Sequence, residues 1–208
     1  DALAGSVTAN ADILSDTGHI SLLAGTSLTL TTGTDVSTAG SGSIDFNAEN
    51  GSVTLATDSD QTAENGDIRI SSGADLTLGG VITTSGSVSL IATGAITDAD
   101  SDDSVDVIAT GLRVASAGFG TSSNAIETTI DAFAASATTG GIYLDETSAL
   151  IVGTVTVAID RVNTDASVTS VADSSLTGAV ATLSDIEISA ELDLTLELIQ
   201  TTTDAVLT

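Results

Sequence analysis

Apolar and polar residues alternate in short stretches that recur along the whole chain. In residues 66–90 the apolar residues come in pairs, Ile68 with Ile70 and Leu76 with Leu78, separated by small or charged residues. A period of two is typical of a β-strand with one buried face. Glycine-containing corners separate three such strands before the series restarts. This arrangement predicts one turn of a β-solenoid and not a hairpin.

The same unit returns at several places in the chain. Residues 184–208 align with residues 66–90 without a gap, and the inward apolar positions match most closely. Residues 18–30 and 140–152 follow the same frame. Internal repetition is therefore the main feature of the sequence, and the first apolar residue of each unit is the expected counterpart of Ile68.

These repeats predict an all-β protein, a parallel β-helix (β-solenoid) with roughly 20–25 residues and three short strands per coil. We interpret residues 1–208 as one continuous β-solenoid, with regular coils over 1–110 and looser coils over 111–208. Asn-Gly dipeptides mark corners, since they supply the positive-φ conformations of tight turns. We also expect the chain to be a segment of a longer repetitive protein.

Two segments depart from the regular rhythm. Residues 125–137 allow a helical interpretation, because Ile126, Ile130 and Phe133 recur at a spacing of three or four. Strands are favoured there, since β-branched residues are frequent and both flanking segments alternate as strands do. Residues 155–183 are the least regular, and we expect longer, less symmetrical coils from them.

The alternation also predicts which side chains face the interior. A slip of one residue would exchange the two faces, so the prediction is specific, with Ser21, Arg69 and Thr77 facing outward. The residues predicted to point inward in stacked columns are Ile20, Leu22, Leu28, Leu30, Ile68, Ile70, Leu76, Leu78, Val88, Leu90, Ile142, Leu144, Ile186, Ile188, Leu194 and Leu196.

Composition changes this picture in two ways. Aromatic residues make up only 2% of the chain against 41% hydrophobic residues in all, so Ile, Val, Leu and Ala must fill a narrow interior. Proline, cysteine and methionine are absent, which excludes disulfides, thiolate metal sites and a cysteine nucleophile. Packing and backbone hydrogen bonds must therefore provide the stability.

The charge is extreme, with 29 acidic residues against three arginines and a formal net charge of -26. Nucleic acid is excluded as a partner, since a phosphate backbone needs a basic footprint. Anionic membrane surfaces would repel the chain for the same reason, and no segment reaches the ~18 apolar residues of a membrane span. Acidic side chains of this kind keep a Ser/Thr-rich surface soluble, or else they bind divalent cations.

The repeats resemble those of large bacterial surface proteins of the filamentous-haemagglutinin type. The resemblance covers most of the chain and rests on the segments GHISLLAGTSLTLTT, GDIRISSGADLTLGGVITTSGSVSLIATGAITD and IDAFAASATTGGIYLDETSALIVGTV. It implies a right-handed parallel β-helix, export to the cell exterior and a role in adhesion or fibre formation. It identifies an architecture more firmly than an activity.

The residues that catalysis needs are scarce, and we expect no enzymatic activity. A polysaccharide-active β-helix would require converging carboxylates or bases and aromatic rings that stack on sugars. We expect Arg69 and Arg113 to be outward partners of nearby acids. His19, the only histidine, is expected to be a surface residue and not a metal ligand.

One acidic segment could hold a metal ion. Calcium prefers several carboxylate oxygens on a flexible loop, and the residues that offer them here are Asp98, Asp100, Asp102, Asp103 and Asp106. The D-x-D-x-D start resembles a calcium loop, although the glycine and glutamate of such loops are missing. The sequence predicts an exposed loop that either binds calcium or is simply solvated.

The pattern is compatible with several functions outside catalysis. The first is an extracellular structural or adhesive segment of a bacterial cell-surface fibre, whose end coils stack on further repeats or on another copy. The alternatives are a calcium-dependent or glycan-binding surface module and, from Thr29 and Thr154, an ice-binding solenoid. An ice-binding face would require two adjacent threonine columns.

Overall fold

The computed structural model describes residues 2, 4–100 and 104–208, and within them the protein contains only β-strands and no helix. The described part of the chain thus has no helix that is long and apolar enough to cross a membrane. In chain order the strands are β1 (Val7–Ala9), β2 (Ile13–Ser15), β3 (Ile20–Ala24), β4 (Leu28–Leu30), β5 (Val36–Thr38), β6 (Ile44–Ala48), β7 (Val53–Leu55), β8 (Gln61–Ala63), β9 (Ile68–Ser72), β10 (Leu76–Leu78), β11 (Ile82–Thr84), β12 (Ser87–Ala92), β13 (Ala95–Asp98), β14 (Val107–Ser116), β15 (Gly118–Phe119), β16 (Ile126–Ala137), β17 (Ile142–Glu146), β18 (Leu150–Val152), β19 (Thr154–Val155), β20 (Ala158–Val162), β21 (Val168–Ala172), β22 (Leu176–Thr177), β23 (Ala179–Ala181), β24 (Ile186–Ala190), β25 (Leu194–Leu196), β26 (Ile199–Thr201) and β27 (Ala205–Leu207).

Most of these strands pair in parallel and wind into a β-solenoid of about 9 turns, which confirms the predicted fold class. The solenoid has three walls, which we name by their inward columns. Wall A carries Val7, Leu28, Val53, Leu76, Ile96, Phe119, Ile142, Ile186 and Ala205. Wall B carries Ile13, Val36, Gln61, Ile82, Val107, Thr128 and Glu146. Wall C carries Ile20, Ile44, Ile68, Val88, Leu112, Phe133, Val152 and Leu196.

The predicted inward residues fill the interior, and most of them are fully buried. Leu22 and Leu194 are only half-buried, and Leu196 is 42% exposed, because these three belong to the first and last turns, where the described strands pair with a neighbouring strand on one side only. The predicted outward residues remain partly exposed. The proposed alternation is therefore confirmed along the described solenoid.

The segment that allowed a helical interpretation is a strand. β16 runs over twelve residues and pairs with β14 from Val107 to Ser116, which supplies backbone hydrogen-bond partners along its length. Phe133 on β16 packs against Phe119, with 5.9 Å between the ring centroids. The β-branched residues of this segment thus form part of a parallel ladder, as their preference for strands favours.

The repeat alignment was wrong about the wall on which the C-terminal repeat units lie. Ile142 and Ile186 stack on Phe119 in wall A, whereas Ile68 belongs to wall C. β17 and β24 each continue from wall A into wall B as a single strand, whereas the earlier turns have a separate strand in each of these walls. Similar sequence units therefore lie on different walls.

The turn between Ile142 and Ile186 is longer than the others, as expected, but its extra residues do not form a larger coil. Residues 154–177, which we call the arm, form an antiparallel hairpin in which β19 pairs with β22 and β20 with β21. The alternation in this segment is satisfied by antiparallel partners and not by a neighbouring turn. Repetition could not predict this insertion, since among the described residues the antiparallel strand pairs all lie in this segment.

The arm folds back along the outer face of wall C towards the first turns. Its apolar side, Val155, Val157 and Ile159, buries a small second core against Ala134. Beyond this core it crosses one outward column of wall C, which consists of Ser21, Asp45, Arg69, Ser89, Arg113 and Ala134. The arm contacts this column at Ser21, Asp45, Arg69, Arg113 and Ala134, so it spans six successive turns.

Candidate functional site

All three arginines of the chain lie where the arm meets wall C. The Arg69 guanidinium is held between the solenoid and the arm, with Nη1 3.3 Å from an oxygen of Asp45 and Nε 3.1 Å from an oxygen of Asp173. From the arm, Arg161 donates through Nε to the other oxygen of Asp45. The carboxylate of Asp45 is fully buried, and both of its oxygens are engaged.

Arg113 completes this row of charges. Its Nε donates to the backbone carbonyl of Ser174 at 2.7 Å, and Nη1 lies 3.3 Å from Oγ of Ser89. Burial lowers the pKa of Arg113, and the nearby Asp173 carboxylate opposes that shift. The expectation that Arg69 pairs with acids is confirmed, whereas the hydrogen bonds of Arg113 go to a carbonyl and a hydroxyl.

His19 lies at the edge of the arm and is half-buried. Its Nδ1 accepts a hydrogen bond from the backbone N–H of Ser43 at 3.1 Å, and Nε2 is 3.7 Å from a carboxylate oxygen of Asp160. The Ser43 hydroxyl also contacts the arm, since it donates to the Asp160 carbonyl. His19 therefore belongs to the interface between the arm and the solenoid.

A second cluster lies on the side of the solenoid where walls A and B meet. Asp98 is the last residue of β13, Asp106 immediately precedes β14, and Glu127 is the second residue of β16. One carboxylate oxygen from each lies within 4.8 Å of the other two. We call these three residues the acidic triad. All are buried, with 7–9% of their surface exposed.

Hydrogen bonds fix part of the acidic triad. Asp98 accepts from the backbone N–H of Asp100 at 3.1 Å and from the Asn124 amide at 3.0 Å. Asp106 accepts from the backbone N–H of Glu127 at 3.2 Å. Oε2 of Glu127 is buried and has no hydrogen-bond partner among the described residues. The triad therefore concentrates carboxylates without enough donors to satisfy them.

The sequence located this cluster only in part. The structure brings Asp98 and Asp106 together, with Asp100 beside them, whereas Asp102 and Asp103 lie outside the described residues. The prediction of an exposed loop was wrong at both of its ends, because Asp98 and Asp106 are buried. Glu127 was missed. Its signal is the coil period, which places it one turn beyond Asp106.

The environment of the acidic triad raises the pKa of two of its carboxyl groups. Burial and the charges of Asp98, Glu127 and Asp100 together raise the pKa of Asp106 from 3.8 to about 8, and the hydrogen bond from the Glu127 N–H opposes this rise. Burial and the charges of Asp98 and Asp145 together raise the pKa of Glu127 from 4.5 to about 7. The Glu127 charge raises the pKa of Asp106, whereas a hydrogen bond with the Asp106 carboxyl opposes the rise at Glu127, so the two groups are coupled.

These shifts predict a pH dependence of stability in chelator-treated protein. Below pH ~4 both carboxyls are protonated in the folded and unfolded chain, and up to pH ~8 only the folded chain keeps its protons. The free energy of unfolding therefore falls as pH rises through this window, and we expect a melting temperature about 5–10 °C higher at pH 5 than at pH 9. Glu127→Gln should flatten this dependence. An unchanged slope in that variant would contradict the assignment.

Wall A also carries a threonine ladder on its outer face, in which Thr29 pairs with Thr8 and Thr54, and Thr77 pairs with Thr54 and Thr97. The next outward positions on these strands are Ser27, Ser52 and Asp75. The second adjacent threonine column that ice binding requires is thus missing from this wall. Threonine is a favoured residue on an exposed strand, which explains the single ladder.

Comparison with known proteins identifies no relative. No family model, curated protein or solved structure matches the chain. The resemblance to filamentous-haemagglutinin-type surface proteins therefore remains a prediction from the repeats.

Proposed function

We propose that this chain is a structural segment of an extracellular, bacterial cell-surface fibre, in which its last turn stacks on another β-solenoid turn. The observation that carries the proposal is the exposure of inward positions in that turn. Val152 in wall C is fully buried, but the residue stacked on it, Leu196, is 42% exposed. Ile199 and Leu207 are likewise only half-buried.

The backbone of the last turn supports the same proposal. β25, β26 and β27 pair with β18, β23 and β24 on one edge, and among the described strands none pairs with their other edge. Open edges of this kind recruit further strands, and a second solenoid turn has the matching spacing. Stacking would satisfy these groups and bury the half-exposed leucines.

The distribution of charge favours end-to-end over side-by-side association. The net charge is -26, and all three arginines are engaged where the arm meets wall C. The outer walls are therefore acidic and repel one another at low ionic strength, whereas the end of the solenoid presents apolar side chains and backbone. A head-to-tail contact of this type generates an open filament. Binding of surface glycans remains a prediction from the resemblance.

Self-association of the chain tests the proposal. We expect light scattering in 0.15–0.5 M salt to show a mass that grows with protein concentration, because salt screens the repulsion between acidic chains. Leu196→Asp should reduce the apparent association constant at least tenfold, since it places a charge in the stacked interface.

A matched control variant distinguishes stacking at the end of the solenoid from association through its walls. Ile151 is exposed to a similar extent, 48%, but it lies one turn before the end and faces outward from wall C, so Ile151→Asp should leave association nearly unchanged. Equal effects of the two variants would contradict end-to-end stacking. A concentration-independent monomer would contradict association altogether.

A further inference from the structure

The acidic triad has the dimensions of a cation site. A calcium ion holds oxygen ligands at about 2.4 Å, so two ligands on opposite sides of it are about 4.8 Å apart. One oxygen each from Asp98, Asp106 and Glu127 lies within that span of the other two. These ligands come from three strands or strand ends that the solenoid stacks beside one another, so the fold itself sets their spacing.

An independent observation points to a missing partner. Oε2 of Glu127 is buried without a hydrogen bond from the described residues, and only 9% of the surface of this residue is exposed. Leaving a buried carboxylate oxygen unsatisfied is costly, and buried charges in proteins are normally paired or bound to a metal. The arginines are committed to the arm on wall C, so no side-chain cation of the chain fills this role.

The surroundings offer a route for an ion. Asp106 also borders a cavity of about 180 Å³, which Asp58, Asp60 and Asp100 line as well. Carboxylates around a cavity attract cations and repel anions, and they raise the local concentration of a divalent ion. A hydrated cation could thus approach the triad through an acidic cavity.

We propose that Asp98, Asp106 and Glu127 bind a divalent cation, with calcium as the preferred ion. Calcium takes six to eight oxygen ligands in flexible geometries, so three carboxylates fixed by a β-solenoid, together with water, suit it. Magnesium requires near-ideal octahedral geometry and gives up its water reluctantly, which a buried triad disfavours. The bound ion would hold β13, β14 and β16 together.

Thermal unfolding of the chelator-treated chain tests this proposal, with calcium, magnesium or sodium chloride added at matched ionic strength. Calcium at about 100-fold above its Kd should raise the melting temperature by about 5–10 °C, and magnesium and sodium chloride by much less. Equal shifts with all three salts would show ionic screening only and would overturn the proposal.

Two variants place the effect at the triad. Glu127→Gln and Asp98→Asn should each weaken calcium binding at least tenfold by calorimetry, whereas Glu191→Gln, an exposed change of the same charge, should not. Glu127→Gln should also melt above the wild type in chelator, since the unsatisfied carboxylate is gone, and this excludes misfolding as the reason for lost binding. A calcium-specific shift that persists in both triad variants would overturn the assignment.

Discussion

The Asp45→Asn variant is expected to melt about 10 °C below the wild-type chain. Asp45 is fully buried and pairs with Arg69 on the solenoid and Arg161 on the arm. Removing one member of a buried ionic network leaves the other charges uncompensated, which costs about 3–5 kcal/mol. Each kcal/mol corresponds to about 2–4 °C for a chain of this size. The loss should fall mainly on the arm, because Arg161 then has no carboxylate beneath it.

Hydrogen exchange can locate the effect. The amides of Asp160 and Val162 donate to Ser43 and Ser21 on wall C, so they should exchange faster in Asp45→Asn while the amides of the wall C interior change little. Asp131→Asn is the matched control, since Asp131 is exposed on β16. Equal exchange of the arm amides in Asp45→Asn and wild type would contradict an arm held by this network.

The Gly66→Ala variant is expected to lose at least about 3 kcal/mol of unfolding free energy. Gly66 lies at the corner before β9, where a Cβ atom would overlap with the carbonyl oxygen of Gly42 in the preceding turn. That oxygen belongs to the backbone and cannot rotate away, so two turns would have to move apart. Forcing atoms into a packed interior usually costs 1–3 kcal/mol, and a clash with backbone costs more.

Gly5→Ala provides the matched control for this substitution. A Cβ at Gly5 has Ala2 as its nearest neighbour, at 3.9 Å, which is an ordinary contact. Chemical denaturation of the two variants should show a large loss for Gly66→Ala and a change within about 0.5 kcal/mol for Gly5→Ala. Similar losses at both positions would mean that glycine matters for another reason than the close approach of the turns.

The regular part of the fold could be predicted from the sequence because each turn repeats the same alternation of buried and exposed residues. The alternation around Ile68 and Leu76 identified the buried face, and Ile20, Ile44 and Ile68 indeed stack in register. It could not predict the phase of Ile142 and Ile186, since a solenoid with three similar walls accepts the same strand pattern on any of them. Only the lengths of the intervening corners decide which wall a strand joins.

The arm and the triad were harder to predict for related reasons. The arm pairs with itself, and its contacts with wall C join residues far apart in sequence, such as Val162 with Ser21 and Arg161 with Asp45. Periodicity contains no information on such contacts. Glu127 lies outside the acidic loop that the sequence pattern marks, and only the coil period connects it with Asp106 in the preceding turn.

The proposed fibre requires that another solenoid turn stacks on the last turn of this solenoid. Electron cryo-microscopy of the concentrated chain at 0.15 M salt tests it most directly. We predict filaments one solenoid wide, with strands perpendicular to the filament axis and a repeat of about 4.8 Å along it. Single particles at every concentration, or sheets formed by side-by-side contact of the walls, would contradict the claim.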